Sequence, residues 1–164
     1  MIIIHIMNEP LFKKICSKYV TGVTVITSRK DKINYGFTAN SFTSVSINPL
    51  LVLFCLKNDS SSVKALEMGS HFVINILSET QSKICDNFSN SKLDHFERFK
   101  EVETTSSINN IKIISNSIAW IECKTVDFVN AGDHNIYIGE VTDGKVVSHD
   151  KPLVYQEGEI KKII

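Results

Sequence analysis

The sequence predicts a mainly β, antiparallel barrel carrying a few short helices. Three observations support that expectation. The chain has 164 residues, 43% of them apolar and 22% charged, which suits a single domain able to bury its own core. About seven segments rich in β-branched and aromatic residues are separated by turn formers. Short helical stretches occur among them, but without the strand-helix alternation that a parallel sheet requires.

The elements follow in order. Residues 1–6, MIIIHI, lack a basic leader and are too short for a signal segment or a membrane span. One domain over 1–164 is therefore expected, with 1–9 a loose extension and Met7 a candidate natural start. Asn8 and Pro10 precede Leu11, Phe12, Ile15 and Tyr19, whose spacing predicts a short amphipathic helix packed on a sheet. GVTVITS (22–28) reads as a strand, SRKDK suits a turn, and a second strand begins near Tyr35, forming a hairpin.

LLVLFCL (50–56) begins after Pro49 and is apolar on both faces, as a strand with neighbours above and below it must be. Ser60 to Met68 reads as a short helix, capped by serine and ended by Gly69. HFVINIL (71–77) is a strand, and Ser78 with Gln81 resembles a capping box before the apolar stripe Ile84, Cys85 and Phe88. Residues 89–110 are polar and irregular, reading as a lid or a loop over a site. SIAWIECKTVDFV (117–129), HNIYIGEVT (134–142) and KPLVYQEGEIKKI (151–163) are the last strands, linked by N-A-G-D and by D-G-K.

Charge and cysteines narrow the function. Eighteen basic residues balance eighteen acidic ones, so no field of one sign exists to attract nucleic acid or an anionic membrane surface. Arg29 and Arg98 are the chain's arginines, so a bound phosphate is expected to rely on hydroxyls, backbone amides and lysine. Cys16, Cys55, Cys85 and Cys123 are scattered without metal-ligand spacing; reduced thiols in the cytoplasm fit best, and no metal site is expected.

Two polar clusters flank LLVLFCL. Thr38, Asn40, Ser41, Thr43, Ser44 and Ser46 precede it, and Lys57, Ser60, Ser61 and Ser62 follow. The plain readings are a solvated strand face and a cap plus turn. The sharper reading is one binding site: hydroxyls, Lys57 and helix amides hold a phosphate, while Asn40 reads the polar edge of a flat heterocycle lying on an apolar strand. FMN, or the flavin half of FAD, has that shape. G-D-H at 132–134 is either a turn or a nicotinamide contact through His134. Cys55 reads as core rather than nucleophile, and no catalytic acid or base is expected.

GVTVITS, GFTANSFTSVS (36–46), LVLFCLKNDSSS (51–62), FVINILSETQ (72–81), GDHNIYIGEV (132–141) and PLVYQEGEI (152–160) together resemble the short-chain flavin reductases, the reductase components of two-component flavin-dependent monooxygenases. The resemblance implies an FMN-binding split β-barrel, antiparallel and Greek-key-like, usually a homodimer with flavin near the subunit interface. It also implies reduction of free FMN or FAD by NADH or NADPH, with hydride passing to flavin N5. Thr38, Ala39, Asn40 and Ser41 would hold the ring and ribityl chain, and Ser44, Val45 and Ser46 would continue that wall. Cys55, Leu56 and Lys57 would line the next strand end, Ser60, Ser61 and Ser62 would lie near the phosphate, and His134 on the nicotinamide side.

Ile47-Asn48-Pro49-Leu50 departs from the family's double proline, and Ile160 stands where an aromatic is common. A carrier that retains its FMN and takes electrons from a partner is the alternative function. A relative of pyridoxamine phosphate oxidase, which shares the fold, is disfavoured by the shortage of arginine.

Overall fold

Residues 7–161 are described by the computed structural model, so most of the expected N-terminal extension lies outside them. The chain opens with α1 (Glu9–Cys16), capped by Asn8, whose Oδ1 accepts the Leu11 N–H at 3.0 Å. After β1 (Thr21–Gly22), the hairpin of β2 (Thr24–Lys30) and β3 (Ile33–Ala39) turns at Asp31 and Lys32, both at positive φ. Then come β4 (Thr43–Ile47), β5 (Leu50–Lys57), a single 3₁₀ turn (Val63–Ala65) and β6 (His71–Ile76). Helices α2 (Ser82–Ser89) and α3 (His95–Phe99) lead to the short pair β7 (Thr104–Ser106) and β8 (Lys112–Ile114). Two long strands, β9 (Ala119–Ala131) and β10 (His134–Val146), precede β11 (Val154–Gln156) and β12 (Glu159–Lys161).

The mainly β, antiparallel expectation is borne out. Seven strands run in the order β3-β2-β6-β9-β10-β5-β4, each neighbour antiparallel. The end strands β3 and β4 do not pair with each other, so the sheet is not a closed cylinder of hydrogen bonds. It curls on itself instead: Phe37 of β3 and Phe54 of β5, far apart in that order, bring their ring centroids to 5.8 Å. Phe54 is fully buried, stacked on Tyr137 at 5.3 Å and edge-on to Phe72 at 5.2 Å. A second apolar cluster, with Val25, Leu77, Phe88, Ile114 and Leu153, lies against the other face of β2.

Several local expectations are corrected. LLVLFCL is buried on one face only: Val52, Phe54 and Leu56 enter the core, while Leu51, Leu53 and Cys55 are half-exposed. β2 and β6 are the strands covered on both sides, because α2, β8 and the segment around Leu153 pack behind them. The predicted N-terminal helix forms but buries no residue, leaving Phe12, Ile15 and Tyr19 exposed. Residues 60–68 make one 3₁₀ turn instead of an α-helix. Gln81 is the N-cap of α2, and only the reach-back half of the expected box exists, with the Ser78 N–H donating to Gln81 Oε1 at 3.0 Å.

Residues 89–110 are more ordered than expected, because an Asp94/Glu97 capping box nucleates α3. D-G-K lies inside β10 rather than in a turn. Residues 154–161, expected to form part of one strand, make a tight hairpin instead, since Glu157 and Gly158 both take positive φ between β11 and β12.

Candidate functional site

The curl leaves β3 and β5 facing each other without backbone pairing at their C-terminal ends, and a cleft of about 780 Å³ opens there. Thr38, Ala39, Asn40 and Ser41 line it from the end of β3 and the residues just after. Cys55, Leu56 and Lys57 line it from β5, and Ser60 and Ser61 from the turn beyond. His134 joins them because β10 pairs with β5 in a register that sets His134 opposite Lys57. Thr38, Asn40 and Ser41 of one polar cluster therefore meet Lys57, Ser60 and Ser61 of the other at one site.

The hydroxyls divide between structure and availability. Thr38 Oγ1 donates to the Cys85 carbonyl at 2.7 Å, tying β3 to α2. Ser41 Oγ accepts the Cys55 N–H at 2.9 Å and donates to the Cys55 carbonyl at 3.3 Å. This one side chain replaces the missing backbone ladder between the two strand ends. Asn40 is exposed, and no hydrogen bond among the described residues occupies its carboxamide. Ser60 Oγ accepts the Ser62 N–H at 3.3 Å, which leaves its own proton free to donate.

Four of the expected residues lie elsewhere. Ser62 is fully buried and does not line the cleft. Ser44, Val45 and Ser46 sit on the edge strand β4, outside the cleft wall, where a register shift interrupts pairing with β5. The helix N-terminus expected to offer free amides is reduced to three 3₁₀ residues, so the phosphate-binding capacity rests on side chains.

The G-D-H turn is fastened to the end of β5. The Asn58 N–H donates to the Asp133 carbonyl at 3.0 Å, and Asn58 Nδ2 donates to the Gly132 carbonyl, also at 3.0 Å. Gly132 takes φ +71, a conformation that favours glycine. His134 Nδ1 lies 2.8 Å from Asp133 Oδ1, and that hydrogen bond is the largest cause holding the Asp133 carboxyl below its ordinary range. An ionised carboxylate only accepts, so Nδ1 is the donor in this contact, which orients the ring. The buried thiols are poor nucleophiles: burial pushes Cys85 up, and Cys123 up to about 12.

Sequence reasoning missed one wall of the cleft, made by Phe88, Ser89, Ser91 and Arg98. The amphipathic stripe of α2 locates Phe88, but nothing local signals Arg98. It reaches the site because its guanidinium donates to the Gly36 carbonyl at 2.8 Å and the Asn90 carbonyl at 3.1 Å. An arginine therefore stands in the cleft wall, a placement the sequence did not lead us to expect. A second cavity of about 530 Å³ shares Thr38, Asn40 and Ser89 with the cleft and is walled by Tyr155 and Ile160, which locates the C-terminal departure from the family pattern.

Residues 16–163 match the family described as Flavin reductase like domain. A probable flavin reductase of Rhizobium meliloti is 42% identical over 125 residues, 76% of this chain; the chain spans 39% of that relative's length. The HsaB reductase subunit of a flavin-dependent monooxygenase from Rhodococcus jostii is 32% identical over 90% of this chain and 74% of its own length. The NADH:FAD oxidoreductase SgcE6 of Streptomyces globisporus, solved with NAD and FAD fragments, superposes with a TM-score of 0.88 at 26% identity, over 97% of each chain. With the family match running nearly the length of the sequence over an antiparallel sheet of the same shape, the chain belongs to the flavin reductase like domain family.

Proposed function

We propose that the chain is an NAD(P)H:flavin oxidoreductase, a cytoplasmic homodimer that reduces free FMN or FAD and supplies the reduced flavin to a partner monooxygenase. The observation that carries this reading is the convergence of Thr38–Ser41, Cys55–Lys57, Ser60, Ser61 and His134 on one cleft. The donor set fits a flavin. Asn40 offers both a donor and an acceptor to a polar ring edge, Cys55 and Leu56 give apolar support, and Lys57, Ser60 and Ser61 suit a phosphate. When bound, the flavin accepts a hydride from the reduced nicotinamide.

The protein's contribution is position. Ser41 pins the two strand ends together and Thr38 pins α2 against them, so the walls are set before ligand arrives. His134, oriented by Asp133, stands at the same cleft on the side we assign to the nicotinamide. Dimerisation is supported by the outer face of the sheet. Leu53 and Ile138 are cross-strand partners there, as are Cys55 and Ile136, all half-exposed, with Leu50 and Val129 exposed around them. Among the described residues, no helix is long and apolar enough to cross a membrane.

The deciding experiment follows oxidation of NADH and NADPH with and without added FMN, FAD or riboflavin. Turnover that saturates with free flavin is expected. A flat trace from protein that purifies yellow would overturn the reductase reading in favour of a flavin carrier. Asn40→Ala is expected to weaken flavin binding by roughly 3- to 10-fold, the worth of one or two neutral hydrogen bonds; unchanged quenching titrations would remove Asn40 from the site. His134→Ala is expected to raise the nicotinamide KM by roughly 3- to 10-fold while flavin affinity stays within about twofold. A normal KM would return G-D-H to a turn.

A further inference from the structure

Between the β2–β3 turn and α3 lies a cavity of about 410 Å³ that shares no lining residue with the cleft or with the cavity beside it. Its size falls in the range of small-molecule sites. Aromatic rings supply its apolar surface: Phe96 is 74% exposed, Phe99 is half-buried, and His95 joins them. Lys32 lines it from the turn and Lys100 from the C-cap of α3.

The two ammonium groups are not answered within the fold. Neither lysine enters an ion pair among the described residues. Glu97, the carboxylate in the lining, has its Oε2 committed to the capping box, where it accepts the Asp94 N–H at 2.9 Å. Lys32 also sits at φ +66, in the left-handed region where glycine is at ease and a lysine is strained. Strain of this kind gathers at ligand sites; here it sets a cation in the same cavity as an exposed phenyl ring.

We propose that this cavity binds a small aromatic anion, a single ring bearing a carboxylate or phenolate, with the ring against Phe96 and Phe99 and the charge answered by Lys32 and Lys100. A neutral ring would leave both cations without a counter-charge, and an aliphatic anion would leave Phe96 without a stacking partner. The volume suits one small molecule. The site stands apart from the cleft and does not rest on the flavin reading.

The test is a titration with benzoate, followed by the imidazole and backbone NMR resonances of the full chain, beside benzamide as the neutral ring and acetate as the anion without one. Saturable benzoate binding is expected with a Kd of roughly 0.1–5 mM, as for a ligand of about ten heavy atoms, with benzamide and acetate at least about fivefold weaker. The shifts should centre on α3 and the β2–β3 turn. Burial, then Arg98 and Lys64, hold the His95 imidazole below its ordinary range against the opposing pull of Asp94, with Tyr35 edge-on to the ring; a bound anion favours the imidazolium, so its pKa should rise on saturation.

Lys32→Gly is the sharpest variant, because it removes the charge and relieves the backbone at once. Thermal stability should hold or rise while benzoate binding weakens by roughly 2- to 5-fold, a combination that a merely structural lysine would not give. Lys100→Gln should weaken binding by a similar factor, and Phe96→Ala by roughly 2- to 10-fold. Benzamide binding as tightly as benzoate would overturn the proposal, as would affinity unchanged in both lysine variants. Resonance shifts centred on the cleft, or competition by FMN, would assign benzoate to the flavin site and overturn it equally. No saturation by roughly 20 mM, well above the expected Kd, would mean that the cavity holds no aromatic anion.

Discussion

Replacing Phe54 with alanine is expected to destabilise the chain by about 3–5 kcal/mol, the range for deleting a fully buried phenyl ring. For a chain of this size that corresponds to a fall in melting temperature of roughly 10 °C. Phe54 stacks on its cross-strand partner Tyr137 of β10 and also meets Phe37 of β3 and Phe72 of β6, so its ring joins β5 to two strands with which it shares no backbone pairing. Phe37 also lines the cleft. The substitution should therefore loosen the site as well as the core, weakening flavin binding in the fraction that remains folded. Phe54→Leu, which keeps most of the volume, should cost about 1.5 kcal/mol or less. Thermal and denaturant unfolding of both variants checks this, and near-native melting of Phe54→Ala would show that the curl is held elsewhere.

Gly36→Ala is expected to cost about 1–3 kcal/mol by overpacking, and to weaken flavin binding at the same time. A Cβ at this position would lie 2.4 Å from Phe88 Cε1, 2.8 Å from its Cδ1 and 3.3 Å from Phe99 Cζ. The backbone conformation needs no glycine; the closeness of α2 does. Phe88 is 1% exposed, lines the cleft and packs edge-on to Phe99 at 4.9 Å between centroids, so it has little room to retreat. The Gly36 carbonyl also receives Arg98, and a shift of β3 there would disturb that contact. Unfolding curves and flavin titrations should move together. A stable variant with native affinity would mean that α2 moves freely over β3.

These two residues show how differently parts of the molecule were legible in sequence. The β2–β3 hairpin, β5 and β6 follow from β-branched runs and turn residues. Ten of the fourteen expected site residues line one cleft: Thr38, Ala39, Asn40, Ser41, Cys55, Leu56, Lys57, Ser60, Ser61 and His134. Two missed elements had local signals. Asp94-His95-Phe96-Glu97 is a capping box, and Glu157-Gly158 is a tight-turn pair. Arg98 had none, since what brings it to the cleft is a bond to Gly36, 62 residues earlier in the chain.

The helix α1 marks the limit of periodicity as an argument. Its apolar spacing is real, but spacing states which face is apolar and not what covers it, and among the described residues nothing buries Phe12 or Ile15. The same holds for the outer face of β5, whose apolar residues on both sides suggested a strand sandwiched within the chain.

Local sequence was enough for most of the long strands, the β2–β3 turn, the polar character of both ends of LLVLFCL and, through ordered motifs, the family. Such features are set by neighbours in the chain, where side-chain period and turn chemistry act directly. The tertiary structure alone decided which hydroxyls stay available. Curling brought β3 against β5, so Ser41 became the bridge between them, Thr38 an anchor for α2 and Ser62 part of the interior, while Asn40 remained open to a ligand. The physical reason is that a polar side chain binds whatever partner folding brings within hydrogen-bond distance, and here that partner is set by the curvature of the sheet.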